Sequence, residues 1–316
     1  IPARRGAAGR EGVIPSVAEA GRRLRAGEAT AEGLLEMHLE AIRARADLRA
    51  VWAVDEARAR AAARLADRAL AEGRAGPLAG IPFLVKDVMD MAGLATTCGS
   101  AVPARAASRD AACVARLAAA GAVPLGKAAT YEFAMTGPAF DLPEPPAVNP
   151  HDPSRITGGS SSGPAVAVAA GLCRVALGTD TSGSVRDPAA HAGVVGLKPT
   201  SGSIPMEGVA ALSPTLDDVG PIAATVAECR AAFAALSGRE AAAGGVRGMR
   251  LGYARAWFAG DPGLDGAVLS LIDAAVEGLA RAGAEVAEVA LPDYALLEAA
   301  GAVVLHAEAL EAHRGR

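Results

Sequence analysis

Between Thr157 and Arg186 the chain reads T-G-G-S-S-S-G-P, then an apolar run of small residues, then G-T-D-T-S-G-S-V-R. Two Ser/Gly turns therefore flank one compact helix-and-strand unit. The apolar run from Ala165 to Cys173 is too short to cross a bilayer and rich in alanine, which predicts a buried helix. Glycine lets a backbone approach a ligand closely, and serine supplies hydroxyls that relay protons or attack a carbonyl. The segment predicts a site for acyl chemistry.

What the chain avoids narrows the search. Of its 31 basic residues only Lys86, Lys127 and Lys198 are lysines. Arginine serves wherever a permanent positive charge is enough, whereas a buried lysine can lose its proton near neutral pH. The three lysines are thus candidates for chemistry, with chance survival or packing as the plain alternative for each.

At 316 residues, with 51% hydrophobic and 21% charged residues, the chain can bury a large core. A net charge of −4 and only 3% aromatics argue against direct nucleic-acid binding, which calls for a basic patch and stacking rings. Cys98, Cys113, Cys173 and Cys229 form no C-x-x-C pair and read as reduced thiols of a cytoplasmic protein. The five histidines show no metal-ligand spacing, so no metal, cofactor or membrane association is expected. The chain starts without Met and stops soon after a helical pattern, which reads as a fragment with its C-terminal part missing.

Residues 1–75 read as a helical N-terminal layer, with periodic apolar positions such as Leu34, Leu35, His38, Leu39 and Ile42. A Gly/Pro break at Gly76–Gly80 precedes a strand at Ile81–Val85 that delivers Lys86. A helix over Asp110–Ala120, a strand at Ala122–Leu125 and a further helix starting near Ala128 continue an α/β alternation. The proline-rich stretch Phe140–Ile156 is a surface loop, and turn-rich sequence after Ser201 leads to a helix at Val226–Leu236. A second β-α-β part, 249–316, is expected to belong to the same domain and to extend the same sheet.

Two patterns mislead. Gly121–Lys127 fits G-x-x-x-x-G-K, but Ala128 stands where a hydroxyl should hold magnesium, and Pro124 removes a phosphate-binding N–H. Gly159–Gly163 fits G-x-S-x-G with Ser161 as nucleophile, yet loop residues precede it where a strand is needed, and no histidine sits where a late triad member belongs.

Four motifs taken together, V-K-D at Val85–Asp87, G-G-S-S-S-G at Gly158–Gly163, G-T-D-T-S-G-S-V-R at Gly178–Arg186 and V-V-G-L-K-P-T at Val194–Thr200, closely resemble the amidase signature family. The match runs from about residue 76 to 235, the signature catalytic core of a single amidase domain. The resemblance implies a mixed central β-sheet covered by helices on both faces, and carboxamide hydrolysis through a Ser-cisSer-Lys triad. Ser184 is then the nucleophile, Ser160 the serine that follows a cis peptide bond after Gly159, and Lys86 the base. Lys86 can act only when neutral, so its pKa must fall by about three units. Backbone N–H groups of Thr181, Ser182, Gly183 and Ser184 would form the oxyanion hole, each worth about 3 kcal/mol. Gly159, Ser161, Thr179, Asp180 and Arg186 would support these turns. The family commonly has glycine where this chain has Ser182. Lys198 is expected to pair with a carboxylate, and Lys127 to be a sequence marker of the family.

Tyr131, Met135 and Thr136, together with Phe140 and the segment Met206–Ser213, fall where family loops line the acyl pocket; lining and ordinary packing both remain open. The expected activity is hydrolysis of a small or medium amide, with a homodimer open. The alternatives are the glutaminase-type A subunit of a tRNA-dependent amidotransferase and, from another class, a catalytically silent fragment or interaction module.

Overall fold

The computed structural model describes residues 14–104, 106–135, 137–142, 145–239 and 244–314, which fall into two compact units. The first comprises the described residues up to 239 with 308–314, and the second spans 244–307.

In the first unit, α1 (Val17–Arg25), α2 (Ala31–Ala44), β1 (Val51–Val54) and α3 (Glu56–Ala71) precede β2 (Pro82–Lys86), α4 (Ala112–Ala119) and β3 (Val123–Ala128). Then come α5 (Ser162–Ala169), β4 (Val175–Asp180), α6 (Arg186–Ala192), β5 (Val195–Gly196), β6 (Asp218–Ala223) and α7 (Val226–Ser237). The helices start where side chains cap free amides: Ser16 accepts from the Glu19 N–H at 3.2 Å, Thr30 from Gly33 at 3.0 Å and Thr225 from Glu228 at 3.3 Å. Alanines at 59, 63 and 66 form the buried stripe of α3, small enough to bring that helix against β3.

Six strands form one mixed sheet in the order β1-β3-β2-β4-β6-β5. The central β3, β2 and β4 run parallel, and β1, β6 and β5 join antiparallel. Every residue of β2, β3, β4 and β6 is buried, which explains their unalternating apolar sequence: both faces of the sheet are covered. Helix α5 packs on all four of these strands. Pro124 is tolerated inside β3 because the register with β2 shifts just there, between Phe83 and Leu84.

Three details differ from the sequence expectation. The strand at 122–125 continues through Ala128, so no helix starts there; a single 3-10 turn at Glu132–Ala134 follows instead. Strands β1 and β6 are additional to that expectation, β1 because four half-buried residues lie between Ala/Arg-rich helices, β6 because Gly220 and Pro221 interrupt its apolar pattern. In the second unit, β7 (Arg250–Tyr253), α8 (Arg255–Ala259), α9 (Gly266–Arg281) and β8 (Glu285–Glu288) lead into α10 (Tyr294–His313). There β7 and β8 pair in parallel as a two-stranded sheet of their own and do not extend the larger one. Among the described residues no helix is long and apolar enough to cross a membrane.

Candidate active site

The end of β2 carries Lys86 into the protein interior, where its side chain is 0% exposed. Its Nζ lies 2.7 Å from Ser160 Oγ and 2.8 Å from Thr179 Oγ1, two neutral hydroxyls. Burial pushes the Lys86 pKa down to about 7, against the opposing pull of the more distant Asp217 and Asp180 carboxylates. An amine so placed can give up its proton near neutral pH and present a lone pair to a hydroxyl.

Ser160 follows a cis peptide bond from Gly159. The Gly159 N–H donates to Asp187 Oδ2 at 2.8 Å, and a Cβ on Gly159 would collide with the Tyr131 ring, so only glycine fits. Ser160 and Ser184 line the same cleft, of about 470 Å³, with Tyr131, Met135, Ile156 and Asp187. Thr136 lies outside the described residues. Phe140 lines a different cleft beside Pro138 and Arg49. Gly208, Val209 and Ala210 border a separate cavity of about 620 Å³ with Thr97, Cys98 and Phe133.

The turn bearing Ser184 is organised around Asp180. This buried carboxylate accepts from the amides of Gly183 (2.8 Å), Val185 (3.2 Å) and Arg186 (3.3 Å), and from the Arg186 guanidinium at 2.9 and 2.8 Å. Burial alone would raise its pKa, but the Arg186 ion pair and these amides hold it below the usual carboxylate range. Gly183 adopts φ +128°, which side-chain-bearing residues rarely reach. Its N–H is held by Asp180, while Thr181, Ser182 and Ser184 flank it in the same turn. Ser182 is exposed, so its extra side chain finds room.

Ser161 is fully buried. Its hydroxyl donates to the Thr179 carbonyl at 3.2 Å and its amide to the Ser184 carbonyl at 3.2 Å, tying the two serine turns together. Lys198 meets Asp218 at 2.9 Å. Lys127 is buried against Asp87 at 2.8 Å, with the Met89 carbonyl and Thr96 as further acceptors, so the G-x-x-x-x-G-K stretch is a core strand.

Two participants escape the sequence reading. Asp187 sits on the first turn of α6 and reads there as an ordinary helix-start acid. Asp217 accepts from Thr181 Oγ1 at 2.6 Å and from the amides of Leu212 (2.8 Å) and Ser213 (3.0 Å), so it fixes the turn from outside. The far end of that loop is clamped by Glu308, which accepts from Ser213 Oγ at 2.7 Å and from the Thr215 amide and hydroxyl at 3.0 and 2.6 Å. The stretches S-V-R-D, ending at Asp187, and S-P-T-L-D, ending at Asp217, give no signal for either carboxylate. Among the described residues no group of three His, Cys, Asp or Glu side chains is arranged to hold a metal.

The arrangement places a buried amine against the Ser160 hydroxyl, and Ser160 and Ser184 beside one another on the wall of one cleft. Comparison with known proteins gives the same direction. Residues 34–314 match the family model described as Amidase. The A subunit of glutamyl-tRNA(Gln) amidotransferase from Roseiflexus castenholzii is 41% identical over 295 residues, 88% of this chain and 60% of that protein. The protein of the same name from Halorhodospira halophila is 40% identical, over 93% of this chain and 64% of its own length. The chain thus spans about three-fifths of the curated relatives it matches. Among solved structures, the peptide amidase of Stenotrophomonas maltophilia superposes with a TM-score of 0.82 at 36% identity, covering 94% of this chain and 66% of that one. An amidase crystal structure gives 0.85 at 36% identity, covering 95% of this chain and 68% of that one.

Proposed function

Because this chain belongs to the amidase family, we propose that it hydrolyses a carboxamide to a carboxylate and ammonia or an amine, with Ser184 as nucleophile and Lys86 as base. The observation that carries the reading is the fully buried Lys86 amine, 2.7 Å from Ser160 Oγ, beside a cleft that also holds Ser184.

In acylation the neutral Lys86 Nζ takes the Ser160 proton as Ser160 takes that of Ser184, and Ser184 Oγ forms a bond to the amide carbon. The carbonyl oxygen gains negative charge facing the amides of Thr181, Ser182 and Ser184. Collapse breaks the C–N bond, and the proton held on Lys86 returns through Ser160 to the leaving nitrogen. Water, deprotonated by the same relay, then cleaves the Ser184 ester and restores the free serine. Thr179 holds the amine on its second side, Asp180 and Asp217 hold the turn, and residues 76–235 form the core of the catalytic domain. We place the reaction in the cytoplasm, in keeping with four buried cysteine thiols.

The names of the relatives favour a second reading, in which the chain is the A subunit of a tRNA-dependent amidotransferase and passes ammonia from glutamine to a partner. Ammonia release from a panel of simple amides and glutamine, with Ser184→Ala and Lys86→Ala controls, separates the two. Turnover of simple amides that both substitutions abolish supports the amidase. Glutamine turnover only in the presence of partner subunits supports the second reading, and activity undiminished in Ser184→Ala removes both.

A further inference from the structure

The cleft at Ser184 carries charge of one sign. Among the described residues that line it, Asp187 is the one charged side chain; the others are small, apolar, hydroxylic or the Tyr131 phenol. The cations beside the two serine turns are otherwise engaged: the Arg186 guanidinium is bound to Asp180, and Lys86 is sealed below the surface with its pKa pushed down. Asp187 Oδ2 holds the Gly159 amide at 2.8 Å and Oδ1 lies 3.2 Å from His191 Nδ1, yet its side chain is 45% exposed and keeps lone pairs open toward the cleft. It stands three positions beyond Ser184 and lines the same cleft.

We propose that Asp187 sets substrate charge, so that this cleft accepts amides carrying a cationic group near the amide and rejects those carrying a carboxylate there. The proposal rests on the reading of Ser184 as nucleophile. A like charge brought beside Asp187 is repelled, and an ammonium gains a charge-assisted hydrogen bond.

The test compares kcat/KM of the full natural chain on three amides with the same two-methylene spacer: 3-aminopropanamide, butanamide and succinamate, cationic, neutral and anionic. The assay runs at pH 8, above the Lys86 value of about 7, so that the proposed base is neutral. The expected result is a preference for the cation over the anion of about tenfold or more, shrinking as salt is raised from low to high ionic strength. In Asp187→Asn, whose side-chain carbonyl can still accept from Gly159, the ratio should fall to within about threefold of unity. Ratios within one protein cancel a general loss of rate, and the salt series on the unaltered chain stands if the variant does not fold. Equal or better use of succinamate, or a ratio that survives salt and Asp187→Asn, overturns the charge assignment while leaving Ser184 chemistry intact. No turnover of any amide overturns the underlying reading and this proposal with it.

Discussion

Lys127 Nζ and Asp87 Oδ1 meet at 2.8 Å with both side chains sealed from solvent, and Asp87 follows Lys86 directly in the chain. Two buried lysines thus sit on neighbouring strands with opposite surroundings. Lys127 faces a carboxylate, and Lys86 faces two hydroxyls.

Lys127→Met strands the Asp87 charge in the core. The expected loss is about 3–5 kcal/mol of stability, read from urea unfolding, and Asp87→Asn added to it should recover part of that loss. A single variant as stable as the natural chain would show that the pair is not held as described.

The reaction needs neutral Lys86, whose pKa lies at about 7. The rate constant kcat/KM should therefore rise with pH through that value and level off above it. A profile flat from pH 6 to 9 contradicts Lys86 as the base.

The same residue leaves a mark on stability. Its folded pKa is depressed, from 10.5 to about 7, so between those values the unfolded chain holds a proton that the folded chain has released. Stability then rises with pH across that window, by at most about 1.4 kcal/mol per unit from this group. Urea midpoints at pH 7.5 and 9.5 should diverge less in Lys86→Met than in the natural chain; parallel shifts in the two proteins would refute the depressed value.

Gly159→Ala drives a methyl into the Tyr131 ring. We expect about 1–3 kcal/mol of destabilisation together with a fall in kcat, since the neighbouring Ser160 moves with it. Tyr131→Ala in the same chain should restore stability more than it restores rate.

The rarity of lysine makes Lys86 and Lys198 legible in the sequence, and the Ser/Gly turns make Ser160 and Ser184 legible. The alternation of strands and helices predicts the layered α/β core. Asp187 and Asp217 stay hidden because the contacts that tie them to the serine turns, to the Gly159 amide and the Thr181 hydroxyl, span 28 and 36 positions of chain that no local spacing encodes. Asp180 is named by the sequence as a support of the turn, but which amides it takes, Gly183 among them, is settled only by the fold. Strand β6 is masked by its glycine and proline, residues that read as strand breakers.

Glu308 closes onto Thr215 across 93 positions of chain, and through Asp217 that loop reaches the Thr181 hydroxyl. During synthesis, the turn that carries Ser184 is therefore made well before the residue that clamps its supporting loop leaves the ribosome. The nascent protein passes through a stage in which the core sheet can assemble while this loop waits for a late, long-range contact, and its ordering is set by the arrival of the last turns of α10.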